Sequence, residues 1–288
     1  KNSIGGAIKL FSQKPDGSGT GSLQATYGSY NRVDIRGMAD FKISDTLFVR
    51  VSGAGKSRDG YVKLLDYGLS HPTSNVLANN ARGGKVVVGT QGGQSYVAGR
   101  LALRWQPNDA LDVNISGDYT RDKSEPAGTV LLAAGRPGPT ASNPNPFNPT
   151  LGAGNPLNTN PATNANGGGW LVGRNGAPVP MNCAFVPAGQ YSCDTLAASV
   201  YGGDRRFISY ANFLDAMVPT TQAPFKPYAA LQNADFTGWG LHGNVKFDLS
   251  DNMNVHWISS YREYQSNFGQ DQDASPVPIA QLDNRLDH

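Results

Sequence analysis

The sequence predicts an all-β chain built from long antiparallel strands. Apolar and polar residues alternate over segments of ten residues or more, and this period of two is typical of strands with one apolar and one polar face. Short stretches rich in Ser, Asp, Asn and Pro separate several of these segments and are typical of tight turns. The 288 residues include 35 Gly and 12 Tyr but only 16% charged residues, a composition that suits a strand-rich protein with many turns.

Seven strands follow the opening segment of the chain in this pattern. They cover approximately residues 20–28, 31–43, 46–58, 96–106, 110–122, 236–249 and 253–266. Short connections are predicted at 28–31, 44–45, 107–109 and 250–252.

Matching the apolar faces of neighbouring strands predicts the register of each hairpin, because a slip of one residue would turn every apolar side chain to the wrong face. Arg104 is then expected opposite Asp112 on the polar face, as a favourable cross-strand pair. The predicted apolar pairs are Phe41 with Leu47, Trp105 with Leu111, and Phe247 with Val255.

Three features favour a transmembrane β-barrel over a soluble β-sandwich. The strands are longer than the five or six residues usual in soluble sheets. Aromatic residues lie near both ends of the strands, as in the two aromatic girdles of a barrel. Charged residues on the polar face suit a wet lumen, and the predicted lumen-lining residues are Arg36, Arg50, Arg100, Arg104, Asp112, Asp118, His242 and Lys246.

The remaining connections are long, at about 59–95, 123–235 and 267–288, and are predicted to be extracellular loops because barrels pair short turns on one side with long loops on the other. The second loop holds most of the 19 prolines and both cysteines. The close spacing of Cys183 and Cys193 favours a local disulfide in an oxidising compartment over two inert thiols. A short helix is predicted over 209–218.

Seven strands do not close a barrel, since single-chain bacterial barrels have an even number from eight upward. The chain opens inside an apolar run without Met or a leader, and NRLDH at its end carries no strand signal. The sequence is therefore expected to be cut at both ends. No stretch approaches 18 consecutive apolar residues, so no transmembrane helix is predicted.

The opening stretch NSIGGAIKLFSQKP resembles the end of the plug domain of TonB-dependent outer-membrane receptors. The following GSLQATYGSYNRVDIRGMADFKISDTLFVRVSGAGKSRDGYV resembles the first three barrel strands of that family, so the similarity covers residues 1 to about 62. The resemblance implies that residues 1–15 end a plug domain and that 16–288 form the N-terminal part of a transmembrane β-barrel. About seven strands of a probable total of about 22 would then be present, a size whose lumen is plugged.

The same resemblance implies active uptake of a scarce nutrient across the bacterial outer membrane, energised by TonB through a TonB box upstream. A ferric siderophore is the most common substrate class in that family, and cobalamin, haem or a glycan are alternatives. A passive porin-type barrel and a secreted carbohydrate-active sandwich are rival interpretations. No enzymatic activity and no cofactor are predicted, and the net charge of +2 gives no argument for nucleic acid.

The candidate ligand-contact residues lie in the long second loop. Arg205 and Arg206 could bind an anionic chelate by charge-assisted hydrogen bonds, or equally a lipopolysaccharide phosphate or an Asp of their own loop. Trp170 and Tyr191 are further candidates.

No metal site is predicted. His242 and His256 share the polar face, but their expected register places them roughly 13 Å apart, too far to share an ion. The acidic run 270–273 lacks the Gly and the distal Glu of a calcium loop and is expected to be solvated.

Overall fold

A computed structural model describes residues 12–76, 78, 84–134, 183–197, 199–211, 233–276 and 281–287. Most of the predicted plug strand, the candidate ligand residue Trp170 and most of the helix expected over 209–218 lie outside the described residues. Within them the chain is almost entirely β, which confirms the predicted class.

The main sheet contains eight antiparallel strands in the order β1-β2-β3-β6-β7-β9-β10-β11. It is an open sheet, with β1 and β11 at its two edges. Its strands are β1 (Gly21–Gly28), β2 (Arg32–Ser44), β3 (Leu47–Arg58), β6 (Gln94–Asn108), β7 (Leu111–Ser124), β9 (Asn233–Ser250), β10 (Met253–Asp271) and β11 (Gln281–Asp287).

The eighth strand corrects the expectation that the chain ends without a strand. β11 pairs with the last part of β10, from Gln265 to Asp271. Because β10 extends five residues beyond its predicted end, it offers an edge of unpaired backbone groups that β11 covers. The alternation in β11 covers only seven residues, too few to stand out from a loop in the sequence.

A small second sheet lies within the segments that were expected to be loops. Its strands β4 (Val62–Asp66), β5 (Val87–Gln91) and β8 (Ile208–Ala211) are ordered β5-β4-β8, with β4 and β8 parallel. The single described α-helix, α1 (Tyr67–Ser70), follows β4, and 3₁₀ turns span Cys183–Phe185 and Arg205–Phe207. Residues 209–211 were expected to begin a helix and instead belong to β8.

The main apolar core of the described residues lies around the small sheet. We call the unit that contains this sheet the cap, and it consists of residues 61–76, 84–91, 183–197 and 199–211. Its α1 helix is capped by the carboxylate of Asp66, which accepts a hydrogen bond from the Leu69 amide. The buried core side chains are Leu65, Tyr67, Val76, Phe185, Leu196, Ile208 and Tyr210.

One of the three predicted hairpin registers is right, and two are shifted by two residues. Phe247 pairs with Val255 as predicted. Phe41 instead lies opposite Val49, and Trp105 opposite Val113. In both cases an irregularity close to the turn accommodates extra residues: Ser44 pairs with Leu47 and Asn108 with Leu111. An even shift keeps every side chain on its predicted face.

The two faces of the main sheet differ sharply. One face, which we call the apolar face, exposes large hydrophobic side chains on every strand from β1 to β10, whereas the opposite polar face carries charged groups. Aromatic side chains lie on the apolar face near both ends of the strands. Those near the tight turns are Phe41, Trp105 and Phe247, and those near the cap end are Tyr27, Tyr119, Trp239 and Tyr261. Among the described residues, no helix has the length and apolar character to cross a membrane.

Candidate functional site

The segment Ser12–Thr20 lies against the polar face of the main sheet, near the tight-turn end. Lys14 Nζ lies 2.9 Å from Asp112 Oδ2 on β7. The other oxygen of this carboxylate, Oδ1, accepts a hydrogen bond from Arg104 Nε of β6 at 2.9 Å. Pro15 is fully buried under this contact. The segment is therefore attached to the sheet through Asp112, whose carboxylate binds both Lys14 of the segment and Arg104 of the neighbouring strand.

Asp40 of β2 forms the second attachment. Its carboxylate accepts hydrogen bonds from the Gly17 amide at 2.7 Å and from the Asp16 amide at 3.3 Å, and Arg50 Nη1 lies at 3.3 Å. Asp40 is 1% exposed, so these donors replace the water that a carboxylate would otherwise bind.

Gly17 fits this attachment for two reasons. Its φ of +69° lies in the left-handed region, which residues with a Cβ rarely adopt. A Cβ on Gly17 would also lie 2.5 Å from Cδ1 of Phe48. The backbone thus approaches the sheet more closely here than any other residue type allows.

A cavity of about 600 Å³ opens on the polar face between residues 12–15 and strands β6, β7, β9 and β10. Arg262 Nη2 binds the Asp118 carboxylate at 3.0 Å, and Arg100 Nη2 donates to Ser116 Oγ at 2.9 Å. His242 lines the same cavity. The cavity walls are therefore polar and carry both signs of charge.

The eight residues predicted to line a lumen all belong to the polar face. Arg36 donates to Gln24, Lys246 lies 3.4 Å from the Asp248 carboxylate, and Arg104 binds Asp112 although it lies directly opposite Asn114. His242 lies opposite Ser260, and Lys246 lies opposite His256, as the register of this hairpin predicts. Among the described residues, no cluster of three or more His, Cys, Asp or Glu side chains is arranged to hold a metal ion.

The residues predicted to contact ligand have different surroundings in the cap. The Arg205 guanidinium lies 2.8 Å from the buried Asp194 carboxylate, so it is engaged by its own loop. Arg206 pairs with Asp204 at 2.6 Å and keeps 78% of its side chain exposed. Tyr191 is also exposed. Cys183 and Cys193 form a disulfide that closes the turn carrying Tyr191.

The buried carboxylate of Asp194 is the polar centre of the cap, and no pattern in the sequence indicated it. It accepts hydrogen bonds from His71 Nε2 at 2.6 Å, from the Leu196 amide at 2.7 Å and from the Tyr210 hydroxyl, and it pairs with Arg205. Burial raises the pKa of Asp194, but the hydrogen bonds from His71 and Tyr210 outweigh burial and leave the pKa below its usual value of 3.8. His71 and Asp194 are 123 positions apart, so no spacing in the sequence could have revealed the pair.

Ser70, His71 and Asp194 are connected in the order seen in serine hydrolases, with Ser70 Oγ 3.0 Å from His71 Nδ1. The Ser70 residue is only 3% exposed, and its hydroxyl donates to the Asp66 carbonyl oxygen at 2.8 Å. A hydroxyl this buried is not open to a substrate, and the contacts of Ser70, His71 and Asp194 lie within the cap.

The acidic run 270–273 is not the solvated loop that the sequence led us to expect. Asp271 is 2% exposed and accepts a hydrogen bond from the Asp273 amide at 3.2 Å. Ser209 of β8 donates to the Ala274 carbonyl at 3.5 Å, so the turn after β10 packs against the cap. Burial, with the nearby Asp273 carboxylate as a further cause, raises the pKa of Asp271 to about 8.

This contact is expected to weaken as the pH rises. The folded state favours neutral Asp271, so its stabilisation is complete below the unfolded pKa of 3.8 and is lost as the pH rises towards about 8. Hydrogen exchange of residues 271–275, corrected for intrinsic rates, should show falling protection across this window. Asp271→Asn should remove the dependence and raise protection at pH 8. A wild-type profile that stays flat from pH 4 to 8 would contradict the expectation.

Loss of the disulfide is expected to destabilise the cap. Cys193→Ser releases a closed loop with a sequence separation of 10 residues, for which chain entropy predicts a cost of about 3 kcal/mol. Hydrogen exchange at Phe185 and Val186, both buried, would measure the loss of cap protection. A reducing agent should reproduce the effect in the wild type and have no further effect on the variant.

Comparisons with known proteins give a structural similarity and no sequence family. No family model matches the chain, and no curated protein matches it. Among solved structures, the ferric-catecholate import receptor Fiu from E. coli K12, in its closed form, is similar at a TM-score of 0.45 and 10% identity. The match covers 96% of this chain and 28% of that receptor, so this chain spans less than a third of that structure.

Proposed function

We propose that this chain forms part of the wall of a bacterial outer-membrane β-barrel receptor that imports a scarce nutrient. The observation that carries the proposal is the asymmetry of the main sheet. One face exposes large apolar side chains on seven successive strands, and the other is charged and partly covered by the segment Ser12–Thr20. A soluble sheet buries its apolar face and exposes its polar face, whereas a barrel wall in lipid does the reverse.

Strand lengths agree with this placement. A tilted strand crosses the hydrocarbon core with about 9–11 residues. β2 and β3 have 13 and 12 residues, and β9 and β10 have 18 and 19. The longer pair therefore extends well beyond the membrane on the side of the cap. On this placement the tight turns face the periplasm and the cap faces the outside.

The segment Ser12–Thr20 would then be the end of a plug that enters the barrel wall at β1. Its attachments are one shared ion pair and one buried carboxylate. Such contacts hold a plug in place and are broken by a modest force, which suits transport driven through TonB. The cavity on the polar face would belong to the lumen between plug and wall, lined by Arg100, Asp118, His242 and Arg262.

The nutrient class we propose is a ferric siderophore, on the resemblance of residues 1 to about 62 to TonB-dependent receptors. In the cap, Arg206 and Tyr191 are exposed and remain candidates for ligand contact, whereas Arg205 is engaged by Asp194. Cobalamin, haem and glycans remain the alternative substrates for the same architecture.

Uptake of radiolabelled iron tests the function. A strain lacking the gene, starved for iron and supplied with a panel of siderophores, should lose uptake of one ferric chelate. The wild-type gene should restore uptake, and the restored uptake should stop when a protonophore collapses the inner-membrane proton gradient. Uptake that survives the protonophore would instead indicate a passive pore. Unchanged uptake of every chelate would exclude the siderophore class and direct the same assay to cobalamin, haem and glycans.

A further inference from the structure

The apolar face has a basic cavity at its cap end. This cavity, which we call the rim cavity, has a volume of about 450 Å³ and lies where strands β3, β6 and β7 meet the cap. Ser57 and Ser95 lie opposite each other in its wall, and both belong to the apolar face, since Ser57 follows Val51 and Ser95 precedes Leu101 at even spacing. Arg58 and Gln94 of the polar face also line the cavity, so it lies at the cap-end edge of the sheet, and Ser57, Ser95 and Lys123 border it on the side that we assign to lipid.

A belt of aromatic residues marks the depth of this cavity. Tyr119 of β7 lies directly opposite Trp239 of β9, and the Trp239 ring is 5.4 Å from the ring of Tyr261. Tyr and Trp concentrate where the hydrocarbon core meets the headgroups. Lys123 follows Tyr119 on the same face by four residues, or roughly 13 Å along the strand. That distance places Lys123 among the headgroups.

Lys63 and Lys123 are the cations of the rim cavity that lie outside the described ion pairs, although Lys123 lies directly opposite Asp235 of β9. Lys63 of the cap and Lys123 of β7 both line the cavity. Neither of them forms an ion pair with any other residue in the described part of the chain. Arg121, two residues before Lys123, adds a third exposed cation on the same face.

The other charged groups of the cavity are engaged locally. Glu125 accepts hydrogen bonds from the Thr90 hydroxyl and from the Gly93 amide at 2.8 Å, and Asp59 accepts from Asn31 Nδ2 at 2.7 Å. Arg58 lies 5.4 Å from the centre of the Tyr61 ring and donates to the Gly92 carbonyl. Arg58, Lys63 and Lys123 against Asp59 and Glu125 give the lining one net positive charge. Asp235, opposite Lys123 on β9, offsets this charge, and the exposed Arg121 restores it.

We propose that Lys63 and Lys123 bind the phosphate of an outer-leaflet lipid headgroup, and that Arg121 adds to the positive electrostatic potential at this site. The inference rests on the proposed position of the sheet in the membrane. Two cations converging on one cavity at headgroup depth match a phosphate, whose oxygens accept several charge-assisted hydrogen bonds. A lipid held there would fasten the cap to the surrounding membrane, because Lys63 belongs to the cap and Lys123 to the barrel wall.

Lipid retention by the purified protein tests the site. The protein is reconstituted in phosphatidylcholine nanodiscs doped with bisphosphorylated or with dephosphorylated lipid A, transferred to detergent and analysed by native mass spectrometry. The wild type should retain the bisphosphorylated lipid and lose the dephosphorylated one. Each lysine removed should weaken retention about fivefold, so Lys63→Gln/Lys123→Gln should retain about 25-fold less.

Lys56→Gln is the matched control, since Lys56 lies on β3 at a similar height but on the polar face. It should retain lipid like the wild type, and Lys63→Arg/Lys123→Arg should restore retention if the double Gln variant loses it. Equal retention by the double Gln variant and the wild type would overturn the site. Full release of the lipid by inorganic phosphate at a matched concentration would overturn the assignment to a lipid and leave a site for free phosphate.

Failure of this site is distinguishable from failure of the proposed function. If the protein does not separate with the outer membrane on cell fractionation, both proposals fail. If it does so and imports its nutrient but retains no phosphorylated lipid, only the rim site fails.

Discussion

Asp194→Ala is expected to unfold the cap while the main sheet stays intact. The substitution leaves His71 and Tyr210, both buried, without their shared acceptor, and it removes the carboxylate partner of the partly exposed Arg205. Each buried donor left without an acceptor costs about 1–3 kcal/mol. Hydrogen exchange at Ile208 and Tyr210, both fully buried, should accelerate by a factor of about 100 to 1,000 or more.

Asp204→Ala is the matched control for this prediction. Asp204 belongs to the same loop and also pairs with an arginine, but that pair is exposed. Exposed ion pairs contribute little, and the Arg206 amide that the Asp204 carboxylate also accepts is a single N-cap contact, so cap protection should fall far less than in Asp194→Ala. Equal loss of protection in the two variants would show that the buried network does not hold the cap.

Acid should have the same effect on the cap as the substitution. The pKa of Asp194 is lowered by folding, so its contribution is present above the unfolded pKa of 3.8 and is lost as the pH falls through the lower folded value. The acid loss of cap protection should be absent in Asp194→Ala. It also runs opposite to the effect at Asp271, which weakens its contact as the pH rises.

Asp40→Ala is expected to detach the segment Ser12–Thr20 from the sheet. The segment would lose the carboxylate that accepts the Gly17 and Asp16 amides, and Arg50 would lose its only described ion-pair partner. Hydrogen bonds to a charged acceptor make this a loss of about 2–3 kcal/mol. Amide exchange at Gly17 should accelerate roughly 30- to 150-fold.

The control for Asp40 is Asp34→Ala, because Asp34 lies on the same strand and face but binds Arg32 rather than the segment. It should leave Gly17 exchange unchanged. If the segment is the end of a plug, Asp40→Ala should also alter nutrient uptake in the complemented strain, whereas Asp34→Ala should not. Unchanged protection of Gly17 in Asp40→Ala would mean that the Lys14–Asp112 pair alone holds the segment.

The alternation of apolar and polar residues predicted the main sheet, because this alternation within one strand determines which side chains lie on each of its two faces. The faces of Leu101 and Arg100 follow from their neighbours alone. The predicted pairing of the strands was wrong in two hairpins, because an irregularity beside Ser44 or Asn108 shifts the pairing by two residues. A shift of two residues leaves every side chain on its predicted face. The eighth strand was missed because its seven residues depend on the long overhang of β10 for pairing.

The cap could not be predicted from the sequence, because its contacts join residues that are far apart along the chain. Its core joins Leu65, Phe185 and Tyr210, which come from distant parts of the chain and show no shared period. Its polar centre joins His71 to Asp194 through a contact that only the folded chain creates. The sequence indicated the Cys183 and Cys193 pair because those two residues are close along the chain.

The parallel pairing of β4 with β8 has a consequence for how this protein could be re-engineered or could diversify. Leu65 and Tyr210 face each other across that pair, one from each of two separate connections of the main sheet. Neither connection is a module that can be exchanged alone, because a transplanted loop would arrive without its matching half. A chimera with a folded cap would have to exchange 61–91 and 183–211 together, so new versions of the cap should arise by paired replacement of both segments.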